Sequence, residues 1–435
     1  MPRPPSRDPS PRAIAARVLD RVENEGAYAA AALDAEMARL GELDPRDRAL
    51  ATELVYGVLR TRAVLGRELG KFMRRPFERT DPVVATHLLV AAYQLSFLDR
   101  VPAFAAIDSA VELARVARGP KLGGFVNAVL RKLANRKTPL DKATAIVESA
   151  PAWLVSRLER DVGVEEARAL LGASEGAPLG SVCLRLREGR PVPAWLAGAE
   201  VGRACATARI LRAEGDPRRH PEWRRGDVVV QEEGAQVVGL AVGARSGDRV
   251  LDACAGRGQK TALLVEALGP EGEVVATDVH AHKLEALAGE LARLGLAVPT
   301  TRVADLSAGA LDLPGPFDRV LVDAPCTGSG TLRRRPEIAR RLEPTDPARL
   351  ADLAERILRN AAASARPGGR VVFAVCSVFR EEGEAVVERV SDILEPTPFD
   401  SPAIAGVVEP GATSFRLLPL RHGTDGYFVA SFMRR

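Results

Sequence analysis

Two cysteines fifty positions apart are the residues best placed to do chemistry. Cys326 stands in Asp-Ala-Pro-Cys and Cys376 in Val-Cys-Ser, each just past a short apolar run. Those runs, Asp318 to Asp323 and Arg370 to Val375, are β-branched and uninterrupted, as buried parallel strands are. Two thiols at the carboxyl ends of such strands share the crevice where open α/β sheets bind ligands, a placement suited to paired covalent chemistry. A single cysteine is also a common small buried hydrophobe, so the pairing and its context carry the argument.

The segment Asp252-Ala253-Cys254-Ala255-Gly256-Arg257-Gly258-Gln259-Lys260-Thr261 follows another apolar run and opens a helix. Its glycines allow close backbone approach, and the helix start offers unpaired N–H groups. Asp278 ends the next strand, at the distance where an acidic group meets ribose hydroxyls, and Asp305 follows the strand after that. The Walker A spacing is missing, so the loop reads as a nucleoside site and not as a triphosphate cradle. Asp323 lies beside Cys326, with hydrogen-bonding capacity suited to an amidine-like edge such as cytosine N3/N4. Arg333-Arg334-Arg335 follows, in a form suited to phosphates.

The elements that must position these groups are legible. Strands are expected near 249–254, 274–278, 300–303, 319–323 and 370–375, with helices at 280–294 and 347–365. This βαβα alternation predicts a parallel, doubly wound sheet. Residues 12–135 read as helices, with Asp44-Pro45 as a start and Gly119-Pro120 and Gly123-Gly124 as breakers. Between them, a helix from Pro151 to about Leu171 and a strand at 181–186 indicate a small α+β module.

The chain has 435 residues and a net charge of +4, with 61 Lys and Arg, of which 23 fall in residues 1–140 against 16 Asp and Glu there. A basic front half suits a nucleic-acid partner. Five cysteines without Cys-x-x-Cys spacing argue against a disulfide framework and a zinc site, and for a reducing, cytoplasmic setting. No apolar run reaches membrane-spanning length, and the Pro-rich amino end lacks a signal-peptide core.

Taken in order, these motifs resemble the RsmB/Sun-type ribosomal small-subunit RNA (cytosine-C5) methyltransferases. The matching strings are 252–261, Thr277-Asp278, Asp305, Asp323-Ala324-Pro325-Cys326 with Arg335-Pro336-Glu337, Pro367-Gly368-Gly369, Cys376-Ser377 and Thr424-Asp425-Gly426-Tyr427-Phe428. Asp47 to Gly57, Ala92 to Leu95 and Gly124 to Arg131 are similar to a NusB-like RNA-binding domain. The resemblance implies a multidomain chain. Residues 1–11 form a disordered tail, 12–137 an all-α NusB-like domain, and 138–240 a small α+β module. Residues 241–435 form an α/β Rossmann-like, S-adenosylmethionine-dependent methyltransferase domain. It implies Cys376 as the nucleophile toward cytosine C6, Cys326 as the thiol that assists product release, and Asp323 on the base edge. It also implies donor contacts from Cys254, Ala255, Gly256, Arg257, Gly258, Gln259, Lys260, Asp278, Asp305 and Asp323. Small-subunit rRNA is the expected partner, with no metal, no membrane and a monomeric state.

The usual Ala-Ala-Pro-Gly-Gly-Lys of the family is Ala255-Gly256-Arg257-Gly258-Gln259-Lys260 here, which implies altered loop geometry. The threonine usual before the nucleophile is Val375, and the usual Glu-Asn is Glu382-Gly383. Two other readings differ in kind. One is a DNA cytosine-C5 methyltransferase with Cys326 as nucleophile; the other is an inactive RNA-binding assembly factor.

Overall fold

The computed structural model describes residues 8–435 except 137, 175–180, 213–215 and 310–315. The chain divides into two compact units that do not follow sequence order. The first comprises residues 1–156, 171–174 and 332–341, and the second comprises 157–170, 175–331 and 342–435.

The first unit is helical: α1 Pro11–Asn24, α2 Ala29–Leu40, α3 Pro45–Gly70, α4 Pro82–Phe97, α5 Ala103–Arg118, α6 Pro120–Ala134 and α7 Lys142–Ser149. Their starts are locally encoded. Ser10, Asp44, Asp81 and Asp141 accept hydrogen bonds from first-turn N–H groups, and proline opens α1, α3, α4 and α6. Within the segment read as a disordered tail, residues 1–7 lie outside the described residues, while Ser10 already caps α1. Helix α4 is buried from Val84 to Gln94 and occupies the centre of the bundle, as an all-round apolar helix must.

Gly119 does separate α5 from α6, but Gly123 and Gly124 lie inside α6. Gly123 is there for packing: a Cβ on it would sit 3.3 Å from the Val111 carbonyl of α5. The helix expected from 151 to 171 is two helices, α8 Ala152–Val162 and α9 Val164–Leu171. The break falls at Gly163, whose φ of 86° is left-handed.

In the second unit, a small antiparallel sheet is built from β1 Ser181–Leu186, β2 Glu200–Val201, β3 Ala208–Arg212 and β4 Val228–Val230, in the order β2-β3-β1-β4. Arg185 of β1 and Arg187 just past its end are both buried and both paired with Glu266 of the helix Gln259–Leu268 at 2.5 Å. The α+β module is thereby fastened to the helix that follows the glycine loop.

The large sheet contains β5 Arg249–Asp252, β6 Glu273–Asp278, β7 Thr300–Val303, β8 Phe317–Asp323, β9 Ala365–Val375, β10 Leu394–Pro396, β11 Ser414–Leu417 and β12 Tyr427–Arg434. Its order is β10-β12-β9-β8-β5-β6-β7, with β11 beside β12. Strands β5 to β9 are mutually parallel, so the α/β expectation holds for that part. The sheet as a whole is mixed, because β12 runs antiparallel to β9, β10 and β11. An apolar run reports burial and not direction, and the run Tyr427 to Phe432 is buried on both faces like its parallel neighbours. Alternate residues face two cores. Leu251, Val320, Val322, Phe373 and Val375 pack with the helix Asp346–Ala362, while Val250, Leu321, Val372 and Ala374 pack with the helices Glu233–Ala241 and Gln259–Leu268.

Candidate active site

The chain leaves β5 toward β6 and β7 on one side and returns to β8 and β9 on the other. The carboxyl ends of β5 and β8 therefore flank a topological switch point. Register fixes what meets there: Asp252 pairs with Leu321, and Asp323 pairs with Ala374, one residue before Val375 and two before Cys376.

The glycine loop is organised by carboxylates. Asp278, almost fully buried, accepts from the N–H of Gly256 at 3.1 Å and of His280 at 2.9 Å, and Lys283 lies 3.4 Å away. Gly258 has a φ of 84°, and a Cβ there would come within 2.6 Å of the Leu287 side chain. The turn is thus closed to other residues by backbone conformation and by the packing of the helix Ala281–Arg293. Asp252 is buried and accepts from the Thr261 hydroxyl at 2.7 Å; burial pushes its carboxyl up to about 6. Burial, with Asp323, Asp252 and Asp278 close by, raises the Cys254 thiol strongly, so it is neutral.

Arg257 is exposed, and Gln259 turns away from the crevice: its amide donates to the Val230 carbonyl of β4 at 3.0 Å. The substitution in the family's glycine pattern therefore serves the attachment of the small sheet. Asp305 is exposed after β7 and accepts from the Ser307 N–H and hydroxyl at 2.9 and 2.7 Å, while the Ala304 N–H donates to the Asp278 carbonyl at 3.1 Å. The ends of β6 and β7 are thus joined. Val279, half exposed beside them, offers an apolar surface.

On the other side of the switch point, Lys260 forms a 2.5 Å ion pair with Asp323. Burial alone would lower the ammonium, but the Asp323 carboxylate outweighs it and keeps Lys260 protonated. The sulfurs of Cys326 and Cys376 are 3.4 Å apart, and all five cysteines are free of disulfides. The hydrogen bond to Cys376, burial, and the neighbouring Cys376 and Glu382 drive the Cys326 thiol up.

Sequence reasoning placed the two thiols correctly in one crevice but did not foresee the Lys260–Asp323 pair, nor what Glu382 does. Glu382 accepts from Thr327 and Ser377, the residues immediately after the two cysteines. Its sequence signal is its place in the family pattern, where Glu382-Gly383 stands for the usual Glu-Asn six residues after Cys376. The arginine run behaves differently from expectation. It belongs to the helical unit, where Arg333 is buried and its carbonyl accepts from the Arg60 guanidinium at 2.6 Å, while Arg334 and Arg335 are exposed. Among the described residues no group of His, Cys, Asp and Glu is arranged to hold a metal ion, and no helix is long and apolar enough to cross a membrane.

Residues 240–433 match the family described as 16S rRNA methyltransferase RsmB/F, and residues 9–135 match the NusB family. The chain belongs to the RsmB/F family. The Mycobacterium tuberculosis protein Rv1407 is 38% identical, with 98% of this chain and 97% of that protein covered. The ribosomal RNA small subunit methyltransferase B of Xylella fastidiosa is 32% identical, with 98% of each covered. Among solved structures, that of PH0851 covers 97% of this chain and 98% of its own at a TM-score of 0.81 and 22% identity, which shows a shared fold. The NusB match covers the amino-terminal helices, and the RsmB/F match covers the large sheet.

Proposed function

We propose that this protein transfers a methyl group from S-adenosylmethionine to C5 of a cytidine in small-subunit ribosomal RNA, through a covalent bond between Cys376 and C6 of the base. The observation that carries the reading is the pair of sulfurs 3.4 Å apart beside the Lys260–Asp323 ion pair; the family pattern, in which the thiol of the Cys-Ser motif attacks, assigns the nucleophile to Cys376. The RsmB/F family and the small-subunit methyltransferase names of full-length relatives support the substrate class.

S-adenosylmethionine, when bound, supplies an electrophilic methyl on sulfonium. The residues fit it: the slim glycine loop 254–258 allows close approach, the carboxylates of Asp278 and Asp305 suit its ribose and amino-acid ends, and Val279 suits its adenine. Cytosine C5 is a weak nucleophile until a thiolate adds to C6 and pushes electron density onto it. Cys376 forms that C6–S bond. Asp323, anchored by Lys260, holds the N3/N4 edge of the base. Once C5 carries the methyl, its proton leaves and the C6–S bond breaks. Cys326 gives its proton to the departing Cys376 sulfur, and the proton lost from C5 restores Cys326. Reaching C5 requires the base to be out of any stack, so a splayed or single-stranded cytidine is the substrate.

Labelled S-adenosylmethionine and small-subunit rRNA test the reading. Wild type should yield 5-methylcytidine on digestion, Cys326→Ala should accumulate a covalent protein–RNA adduct, and Cys376→Ala should give neither. An adduct trapped by Cys376→Ala would reverse the two roles, and label in another nucleoside would sink the reading.

A further inference from the structure

We propose that Glu382 is a positioning residue that sets the separation of the two thiols by gripping the residue after each of them; this rests on the reading of Cys326 and Cys376 as the reacting pair. Glu382 is 1% exposed and sits in the turn between β9 and the helix Glu384–Arg389. One carboxylate oxygen accepts from the Thr327 N–H at 2.7 Å, and the other accepts from the Thr327 hydroxyl and the Ser377 hydroxyl, each at 2.5 Å. Thr327 follows Cys326 and Ser377 follows Cys376, so a single side chain spans the ends of β8 and β9.

The clamp extends further. The Ser377 and Ser329 hydroxyls are 2.9 Å apart, and Ser329 accepts from the Val378 N–H at 3.0 Å. The Gly330 N–H donates to the Cys376 carbonyl at 3.1 Å. Beyond the cysteines the two loops are thus hydrogen-bonded to each other, as they are before them, where the Ala324 N–H donates to the Ala374 carbonyl at 2.9 Å, and Glu382 is the only carboxyl in the network.

Burying a carboxylate is costly unless it is fully hydrogen-bonded, and a neutral side chain would join the loops more cheaply if packing were the only requirement. Unlike Asp323, which has Lys260, Glu382 is met by three hydrogen bonds from the catalytic loops themselves. A thiol pair that must pass a proton across 3.4 Å tolerates little displacement, and misplacement of a reacting group by about 1 Å costs on the order of 100-fold in rate.

The test measures thiol separation directly. An aromatic disulfide, dithiodipyridine, is attacked by one cysteine, which releases a thiopyridone and forms a mixed disulfide. The second cysteine displaces the remaining thiopyridone, closing a Cys326–Cys376 disulfide, and each thiol proton goes to solvent. Closure is read by mass spectrometry of the bridged peptide in the full-length protein.

Glu382→Ala should slow closure and kcat by about 100-fold, with the KM for RNA, donor binding and the melting profile near wild type. Glu382→Gln, whose amide can bridge the same hydroxyls after they rotate, should recover both to within about tenfold. A folded Glu382→Ala that closes its thiols at the wild-type rate overturns the proposal. Should that variant fail to fold, Ser377→Ala decides: slower closure supports the clamp, and unchanged closure rejects it. A wild type that closes quickly but methylates no cytidine would refute the proposed function and leave the clamp standing.

Discussion

The two sides of the switch point are built by opposite means. On the side proposed to hold the donor, Asp252, Cys254, Gly256, Gly258 and Asp278 lie within one stretch of chain, and the loop is held by backbone N–H groups donating to a nearby carboxylate. On the thiol side, Cys326 and Cys376 come from different strands and are held together by a buried side-chain network centred on Glu382. Local hydrogen bonds suffice where a flexible ligand is to be gripped. A covalent step between groups distant in sequence needs parallel strand pairing and a cross-link. Donor-side substitutions should therefore act on donor affinity, and thiol-side substitutions on the chemical step.

The largest effect separating the two sides is expected from Asp323→Ala. It removes both the proposed contact to the base edge and the counter-ion of the half-buried Lys260. The outcome should be a loss of kcat/KM for RNA of about 1,000-fold, read by single-turnover methyl transfer. A change confined to the donor KM would break the comparison. Asp278→Ala should instead raise the donor KM by about 10- to 100-fold, the worth of a charged hydrogen-bonding group, while RNA binding measured by filter retention stays near wild type.

A third effect is on stability. Burial raises the Asp252 carboxyl from its ordinary 3.8 to about 6, so the folded state binds a proton more tightly than the unfolded state. That proton stabilises the fold at low pH, and its contribution is lost as pH rises through about 6. At neutral pH the ionised group costs up to about 3 kcal/mol. Asp252→Asn, which still accepts from Thr261, should raise Tm at pH 8 and lose that advantage below pH 4. His87 in the helical unit has the opposite sign: burial lowers it to about 4, so stability is lost as pH falls from 6.5 toward 4. His87→Leu should flatten that acid-side decline in a thermal melt. The smallest effect is expected from Gln259→Ala. Its side chain serves the Val230 carbonyl, so donor KM should change by less than about threefold.

Much of this was legible in the chain. Asp44-Pro45 announced the start of α3, the apolar runs announced β5 to β9, and motif order announced the family. The misreadings share a cause. Gly123 and Gly124 were taken as breakers because a glycine's sequence signal does not distinguish a turn from a close helix contact. Gln259 looked like a change to donor binding, yet its partner lies on β4. Arg333 looked like a phosphate ligand, yet it is buried in the helical unit.

By itself the sequence determined which groups are present and where each stands along its strand, because propensity, capping and apolar patterning act over a few residues. It thereby placed both thiols, Asp323 and the glycine loop at strand ends. Only the tertiary structure decided the 3.4 Å between the sulfurs, the pairing of Lys260 with Asp323, the antiparallel return of β12 and the grip of Glu382 on both loops. Each of these depends on strand order and register, which are set by how whole faces of the sheet bury against helices, and no short window of sequence records that.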